Sequence, residues 1–265
     1  MDASPEYAAE IEAWRRRRVE RLVSESGWLS LTGLYWLEDG DNPVGADASS
    51  AVVLPEIAPR HVGTIRLEHG RAVFLPVVGA DPLPLVSDAA AGPTVVTFGT
   101  VRFHVVERGG RLAVRVGDSR HPARRSLRAI PSFLVDPAWR FDARVDLYEL
   151  PRCISIPSIL GTVELETAPG AVVFTVDGRE HRLDSILERG EDDWWIIFGD
   201  RTNGRETYAG GRFVYVAPPV GGRTILDFNK AYNPPCVFTP HSTCPLPPPQ
   251  NRLPIRVEAG EMTYA

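Results

Sequence analysis

Residues 194–228 read WWIIFGDRTNGRETYAGGRFVYVAPPVGGRTILDF, and this stretch decides the fold class. Two runs rich in aromatic and β-branched residues, Trp194–Phe198 and Arg212–Val216, lie on either side of the turn dipeptide Asn203-Gly204. A third run, Thr224–Phe228, follows a turn rich in proline and glycine. Short apolar runs separated by such turns are typical of antiparallel β-hairpins.

The same rhythm continues outward along the chain. Further pairs of predicted strands flank their own turns: Val62–Leu67 with Ala72–Leu75, Val101–Val106 with Leu112–Val116, and Thr162–Glu166 with Val172–Val176 around Ala168-Pro169-Gly170. We count at least five hairpins against one convincing helix. The sequence therefore predicts a mainly β fold, an antiparallel sandwich or barrel with an N-terminal α-helix.

The remaining segments divide the chain into four predicted parts. Residues 1–40 hold a helix that begins near Ser4-Pro5, followed by an aromatic segment that we interpret as a buried turn or short helix. Residues 41–118 form a β-sandwich-like unit, and residues 119–140 form a crossover rich in proline and arginine. Residues 141–265 form a C-terminal β unit.

Composition excludes several classes of protein. The chain has 265 residues, a formal net charge of −5 and 43% hydrophobic residues, which is enough for a sizeable core. It contains no run of about 18 apolar residues and no secretory pattern, and its acidic balance argues against nucleic-acid binding. Nucleotide-binding glycine motifs, zinc-protease motifs and the serine-hydrolase elbow are absent. We expect a cytoplasmic protein with no cofactor, no nucleic-acid partner and no membrane partner; its oligomeric state stays open.

Polar residues are concentrated near the C-terminus, beginning at Asp227. Strand alternation predicts that Asp227 and Asn229 share one face, opposite Leu226 and Phe228. This face either lines a polar pocket or hydrogen-bonds the proline-broken backbone that follows. Both interpretations remain open from the sequence.

The C-terminal run resembles a known signature. It reads DFNKAYNPPC at 227–236, then TPHSTCPLPP at 239–248, NRL at 251–253 and AGE at 259–261. This run resembles a bacterial and archaeal family catalogued as a domain of unknown function. Three further segments resemble the same family: FGDRTNGRETYAGGRF at 198–213, GWLSLTGLYWL at 27–37 and RVGDS at 115–119. The resemblance implies no activity. His241 stands where an aromatic residue is usual in that family.

The three cysteines, Cys153, Cys236 and Cys244, are too few for a disulfide scaffold. Cys236 and Cys244 with His241 have zinc-ligand chemistry, but their spacing does not suit a structural zinc site, so we predict no metal. Cys236 is alternatively a nucleophile, if a neighbouring group lowers its pKa. Burial as small apolar residues is the third interpretation.

These observations predict a pocket in the C-terminal β unit, built from loops 200–208 and 227–252, that binds or transforms a small polar or anionic ligand. Asp227, Asn229 and Cys236 are the candidate catalytic residues. The candidate ligand-binding residues are Arg115, Asp200, Thr207, Tyr208, Asn233, Asn251 and Arg252. The expected partner is a small molecule.

Two other functions remain open. Residues 44–118 resemble a forkhead-associated β-sandwich, which reads phosphothreonine; Arg60 and His61 fall at its ligand loop, although the Gly-Arg that opens the motif is absent and Pro59 replaces its serine. That resemblance implies a non-catalytic phosphopeptide or protein interaction module. The third possibility is that the C-terminal signature serves only folding, with its polar side chains capping a proline-stiffened segment.

Overall fold

A computed structural model describes residues 3–77, 79, 81–90, 92–188 and 190–264. The first element is helix α1, Pro5–Val23, whose N-terminus is capped where the Ser4 Oγ accepts a hydrogen bond of 3.3 Å from the Tyr7 amide. Ile11 and Leu22, on its apolar side, are fully buried. No helix among the described residues has both the length and the apolarity needed to cross a membrane.

The chain forms two compact units. The N-terminal unit contains Glu20–Leu127 and Thr239–Ser242, and the C-terminal unit contains Met1–Val19, Arg128–Phe238 and Thr243–Ala265. Most of α1 therefore belongs with the C-terminal half of the sequence. The proposed catalytic residues Asp227, Asn229 and Cys236 also lie in the C-terminal unit.

The N-terminal unit contains two sheets and a four-residue helix, α2, Ala123–Ser126. The strands are β1 Leu31–Trp36, β2 Gly40–Gly45, β3 Val52–Val53, β4 Gly63–Glu68, β5 Arg71–Pro76, β6 Leu83–Leu85, β7 Val95–Phe98, β8 Val101–Arg108 and β9 Arg111–Asp118. One sheet has the order β1-β9-β8-β7 and the other β3-β2-β4-β5-β6, and both enclose one apolar cluster that includes Phe74 and Phe103.

The aromatic segment after α1 differs from its prediction. A short 3₁₀ turn, Trp28–Ser30, is followed by a strand, β1, which pairs antiparallel with β9. The register shifts between Leu31 and Gly33: these residues pair with the adjacent residues Gly117 and Val116 of β9, so β1 has one extra residue there. Such a bulge interrupts the alternation of buried and exposed residues, which is why the sequence gives no clear strand signal there.

The C-terminal unit is built on a second group of antiparallel strands. The strands are β10 Arg140–Pro157, β11 Val163–Val176, β12 Arg179–Asp184, β13 Trp194–Phe198, β14 Arg212–Val216 and β15 Arg223–Asp227. A four-stranded sheet has the order β12-β11-β10-β15, and β13 and β14 form a separate hairpin. Their core centres on Phe228, whose ring contacts those of Phe141, Phe174 and Phe198.

Ala168-Pro169-Gly170 is not a turn, so that hairpin prediction is wrong. These residues lie inside the continuous strand β11, which pairs with β10 on both sides of them. The register skips from Leu147 to Arg152 opposite Pro169, and this irregularity accommodates a residue without an amide hydrogen. The mainly β class with an N-terminal helix is nevertheless confirmed.

Candidate functional site

The signature begins where strand β15 ends, at Asp227. Phe228–Lys230 forms a 3₁₀ turn, so the prediction that Asn229 continues the strand is wrong. The Asp227 side chain accepts a hydrogen bond of 3.0 Å from the Asn229 amide, and this capping bond favours the turn over a further strand residue. Leu226 and Phe228 are both fully buried in the core.

Asp227 and Asn229 still lie together, in a buried cluster with Tyr7. The Tyr7 hydroxyl donates to Asp227 Oδ1 at 2.9 Å and accepts from Asn229 Nδ2 at 3.0 Å. Asn229 also donates to the Asp136 carbonyl at 2.8 Å and accepts from the Asp136 amide at 3.0 Å. Every polar atom of the Asn229 side chain is thus bonded within the protein, and the cluster joins α1 to the end of β15.

The two oxygens of the Asp227 carboxylate differ in their hydrogen bonding, since Oδ1 accepts hydrogen bonds and Oδ2 does not. Asp227 is only 4% exposed, and its Oδ2 has no hydrogen-bond partner among the described residues. Burial raises the pKa of Tyr7, and the Asp227 carboxylate raises it further. The Arg140 guanidinium lies 4.9 Å from the centre of the Tyr7 ring and supplies a nearby positive charge.

Loop 200–208 is held by its own hydrogen bonds and by a buried ion pair. Asp200 Oδ1 accepts from the Thr202 amide at 2.8 Å and from its hydroxyl at 2.6 Å, while Oδ2 accepts from Arg212 at 2.9 Å. The Thr207 and Thr202 hydroxyls are 2.7 Å apart, and Thr207 accepts from Asn203 at 2.9 Å. These contacts make Asp200 and Thr207 the internal supports of the loop.

Asn251 and Asn233 both hydrogen-bond backbone groups. Asn251 accepts from the Asp184 amide at 2.8 Å and donates to the carbonyls of Asp184 and Ile197 at 2.8 and 2.9 Å. The Asn233 side chain donates to the Met262 carbonyl at 2.8 Å, and the Asn233 backbone N–H donates to the Glu261 carboxylate at 2.7 Å.

Cys236 lies apart from these supports, in a half-buried group with Tyr208 and Cys244. Its Sγ is 3.4 Å from the Tyr208 hydroxyl oxygen, and its amide donates to Cys244 Sγ at 3.1 Å. Cys244 is only 3% exposed, whereas Cys236 is half-buried and therefore more accessible. We call Cys236, Cys244 and Tyr208 the thiol cluster.

The thiol cluster changes the acidity of Cys236. A hydrogen bond with the Cys244 thiol, assisted by one with the Tyr208 hydroxyl, lowers the pKa of Cys236 to about 7, although burial opposes this change. Burial and the hydrogen bond with Cys236 raise the pKa of Tyr208, so its hydroxyl keeps its proton at neutral pH. The arrangement favours a thiolate that accepts two hydrogen bonds.

The two predicted ligand-binding arginines belong to different units. Arg115 belongs to the N-terminal unit, where it is buried on β9 with its guanidinium 4.9 Å from the centre of the Trp28 ring. Arg252 is exposed in the C-terminal unit and forms a backbone bridge with Gly199. The candidate residues thus divide into separate groups: the Asp227 cluster, the backbone supports, the thiol cluster and these two arginines.

Three charged residues that carry much of the network were absent from our candidates. Arg212, fully buried, donates to Asp200 and to the carbonyls of Val257 and Ala259. Arg18 donates to Glu261 at 3.3 Å and lies 4.7 Å from the Tyr232 ring centre. Arg212 and Glu261 both fall within the quoted motifs, which was a usable signal, whereas Arg18 lies in an arginine run that looks solvated.

The described residues contain no group of three or more His, Cys, Asp or Glu side chains that could hold a metal ion. The zinc interpretation of Cys236, His241 and Cys244 therefore has no geometric support. A surface depression on the β4–β5 hairpin is lined by other residues: Arg66, Glu68, His69, Arg71 and Val73.

Comparison with known proteins gives a family and no activity. The family described as "Protein of unknown function (DUF1684)" matches residues 125–262. Among solved structures, the chain is similar to the solution NMR structure of the uncharacterized protein from gene locus rrnAC0354 of Haloarcula marismortui, with 29% identity over 54% of this chain and 80% of that one, and a TM-score of 0.45. No curated protein matches significantly.

Proposed function

The chain belongs to the DUF1684 family, whose function is unknown, and we propose that its C-terminal unit binds a small polar ligand and attacks it with the Cys236 thiolate. The observation that carries this proposal is the thiol cluster, in which a half-buried cysteine contacts a tyrosine hydroxyl and a second thiol. We place the ligand beside Cys236 because this side chain is more exposed than its partner Cys244.

The thiolate is the nucleophilic form of cysteine. With its pKa lowered to about 7, Cys236 is more readily deprotonated at neutral pH than an ordinary cysteine. A bond from the Cys236 sulfur would form to an electrophilic carbon or sulfur atom of a small ligand while the bond from that atom to a leaving group breaks, and the leaving group would depart with the electron pair. The Tyr208 hydroxyl, still protonated, would donate a hydrogen bond to the negative charge that develops on the leaving group.

Of the three candidate catalytic residues, Cys236 is the one that reacts. The Asn229 side chain is fully occupied, and Asp227 accepts hydrogen bonds from Tyr7 and Asn229. We propose that Asp227 and Asn229 are positioning residues, which hold the 3₁₀ turn from which the chain continues to Cys236. Arg252, which is exposed, stays a predicted ligand-binding residue from the sequence and has no part in this proposal.

The phosphopeptide alternative stays a prediction and is not proposed as a second function. It requires the Arg60 guanidinium, and Arg60 forms an ion pair with Asp47, which lowers the pKa of that carboxyl. A cytoplasmic location likewise remains an expectation from the sequence.

Alkylation by iodoacetamide tests the proposal without knowledge of the ligand. The full chain is alkylated at pH values from 5 to 10, and the modified cysteine is identified by peptide mass spectrometry. We expect Cys236 to be modified with a midpoint near pH 7, and Cys236→Ser to abolish that phase.

Cys153→Ser is the matched control because Cys153 is exposed on β10 and lies outside the thiol cluster. This variant should retain the phase with its midpoint near pH 7. A Cys236 midpoint above about 8.5, the value of an ordinary thiol, would contradict the proposal.

A further inference from the structure

We infer that Cys236 and Cys244 form a reversible dithiol–disulfide pair that exchanges with small disulfides. The inference rests on the proposed nucleophilic role of Cys236 and deepens it, because it names the electrophile as a disulfide sulfur and gives Cys244 a chemical role. Cys236 is the attacking thiol, and Cys244 is the thiol that completes the reaction.

The two cysteines are close in space although they are eight positions apart in the chain. The Cys236 amide lies 3.1 Å from Cys244 Sγ, so the second sulfur sits directly against the backbone of the first cysteine. A disulfide needs its two Cβ atoms about 4 Å apart, a separation compatible with this contact.

Cys244 is held in place by strand-like contacts. Its carbonyl accepts a hydrogen bond of 3.0 Å from the Ile159 amide, and the Leu246 amide donates to the Pro157 carbonyl at 2.7 Å. Pro245 forms a backbone bridge with Ser158. The second sulfur is therefore positioned at the end of β10, and little conformational entropy is lost when the pair closes.

The difference in exposure sets the order of the steps. Cys236 is half-buried and reaches a small molecule, whereas Cys244, at 3% exposure, is shielded. An incoming disulfide would therefore meet Cys236 first. The shielded Cys244 would then react only with the mixed disulfide that forms on Cys236 beside it.

The exchange balances in two steps. The Cys236 thiolate attacks one sulfur of a small disulfide; a new S–S bond forms, the old one breaks, and the other half leaves as a thiolate. Cys244 then loses its proton to that thiolate or to solvent and attacks the Cys236 sulfur, which releases the second half of the small disulfide as a thiolate that takes up a proton. The protein dithiol is oxidised, and the small disulfide is reduced to two thiols.

Oxidised glutathione is the probe for this inference. The full chain, first reduced and freed of reductant, is incubated with oxidised glutathione, quenched with acid and analysed by mass spectrometry and peptide mapping. We expect peptide mapping of the wild type to show a Cys236–Cys244 disulfide without glutathione on either cysteine, and dithiothreitol to restore all three thiols.

Variants separate the steps. Cys244→Ser should stop at a mixed disulfide on Cys236, and Cys153→Ser should still form the internal disulfide. Thermal melts of each variant identify any that fails to fold, and peptide mapping of the wild type needs no variant at all.

The outcomes distinguish this inference from the proposed function. A wild-type protein that retains glutathione on Cys236, as Cys244→Ser does, would overturn the dithiol pair and leave the nucleophilic Cys236 intact. A disulfide between two chains, seen on a non-reducing gel, would also overturn it. If Cys236 has an ordinary alkylation midpoint, the proposed function itself is wrong.

Discussion

The Tyr208 hydroxyl is a single polar group whose removal should be measurable at one sulfur. In Tyr208→Phe the ring is kept and the hydrogen bond to Cys236 is lost. Because that bond stabilises the thiolate, we expect the pKa of Cys236 to rise above about 7 and its alkylation at pH 7 to slow severalfold. Tyr35→Phe, in the N-terminal unit, is the control and should leave the profile unchanged. An unchanged midpoint in Tyr208→Phe would show that the hydroxyl does not act on the thiol.

Asp227 tests whether a buried carboxylate supports folding. Its Oδ1 accepts hydrogen bonds from Tyr7 and from the amide of Asn229, and its Oδ2 is buried without a partner among the described residues. Asp227→Asn keeps the size of the side chain but removes its negative charge, which weakens the hydrogen bonds from Tyr7 and Asn229. It also places an amide nitrogen or oxygen at the position of Oδ2, which has no partner among the described residues. We expect a loss of about 1.5–3 kcal/mol and a melting temperature lower by several degrees.

The control for Asp227→Asn is Asp142→Asn, whose carboxylate is largely exposed and pairs with Arg223 on the surface. It should change the melting temperature by a degree or less. If Asp227→Asn were as stable as the wild type or more stable, the Asp227 carboxylate would not stabilise the fold, as is common for ligand-binding carboxylates. The positioning role that we propose for Asp227 would then be wrong.

At the scale of elements, Asn251 joins β12 to β13. Its amide bonds both backbone groups of Asp184, the last residue of β12, and the Ile197 carbonyl within β13. Asn251→Ala leaves these buried groups unsatisfied, so we expect the free energy of unfolding to fall by about 2–4 kcal/mol. Gln250→Ala removes an adjacent, exposed amide and should cost little. Chemical denaturation of the two variants checks this, and equal stabilities would contradict the role of Asn251.

Elements whose signals are local could be predicted from the sequence, and those that depend on distant partners could not. Trp194–Phe198 and Arg212–Val216 have the predicted bounds because each is a short run rich in aromatic and β-branched residues, and a turn dipeptide lies between them. Pro169 reads as a turn residue, and only the irregular register of β10 explains how β11 includes it. The local pattern predicts that Asn229 is a strand residue, and only the hydrogen bond from its backbone N–H to the Asp227 side chain explains the 3₁₀ turn.

The same limit applied to the candidate site. The signature contains Cys236, Tyr208 and Glu261, of which only the first two were candidates, and nothing local indicates that Tyr7 contacts a residue 220 positions away. Asp200 and Asn251 looked like ligand-binding residues because buried supports and binding groups use the same polar side chains. Only their hydrogen-bond partners separate the two roles.

For the whole molecule, the decisive contact joins the two ends of the chain. Arg18 on α1 bonds Glu261, 243 positions later, and also donates to the Asn233 carbonyl at 2.8 Å. Both side chains are buried, and burial raises the pKa of Glu261 while Arg18 opposes that shift. We therefore expect the stability of the C-terminal unit to depend on this contact between the first helix and the last residues.

Arg18→Met should reveal this contribution through its dependence on pH. It leaves the Glu261 carboxylate buried without its cation, which costs about 3–5 kcal/mol. A carboxyl whose pKa is raised by folding contributes stability below its unfolded pKa and loses it as pH rises through the folded pKa. Removing Arg18 raises that pKa further, so the deficit of Arg18→Met relative to the wild type should be largest at neutral pH and shrink as the pH falls toward 4.

Denaturant unfolding at pH 4.5 and 7.5 measures this deficit, with Arg17→Met, an exposed neighbour on α1, as the matched control. Adding Glu261→Gln to Arg18→Met removes the uncompensated charge, so the double variant should regain part of the stability at pH 7.5 and lose the dependence on pH. A deficit that is independent of pH would mean that Arg18 acts through packing on the Tyr232 and Phe238 rings alone, and not through the charge of Glu261.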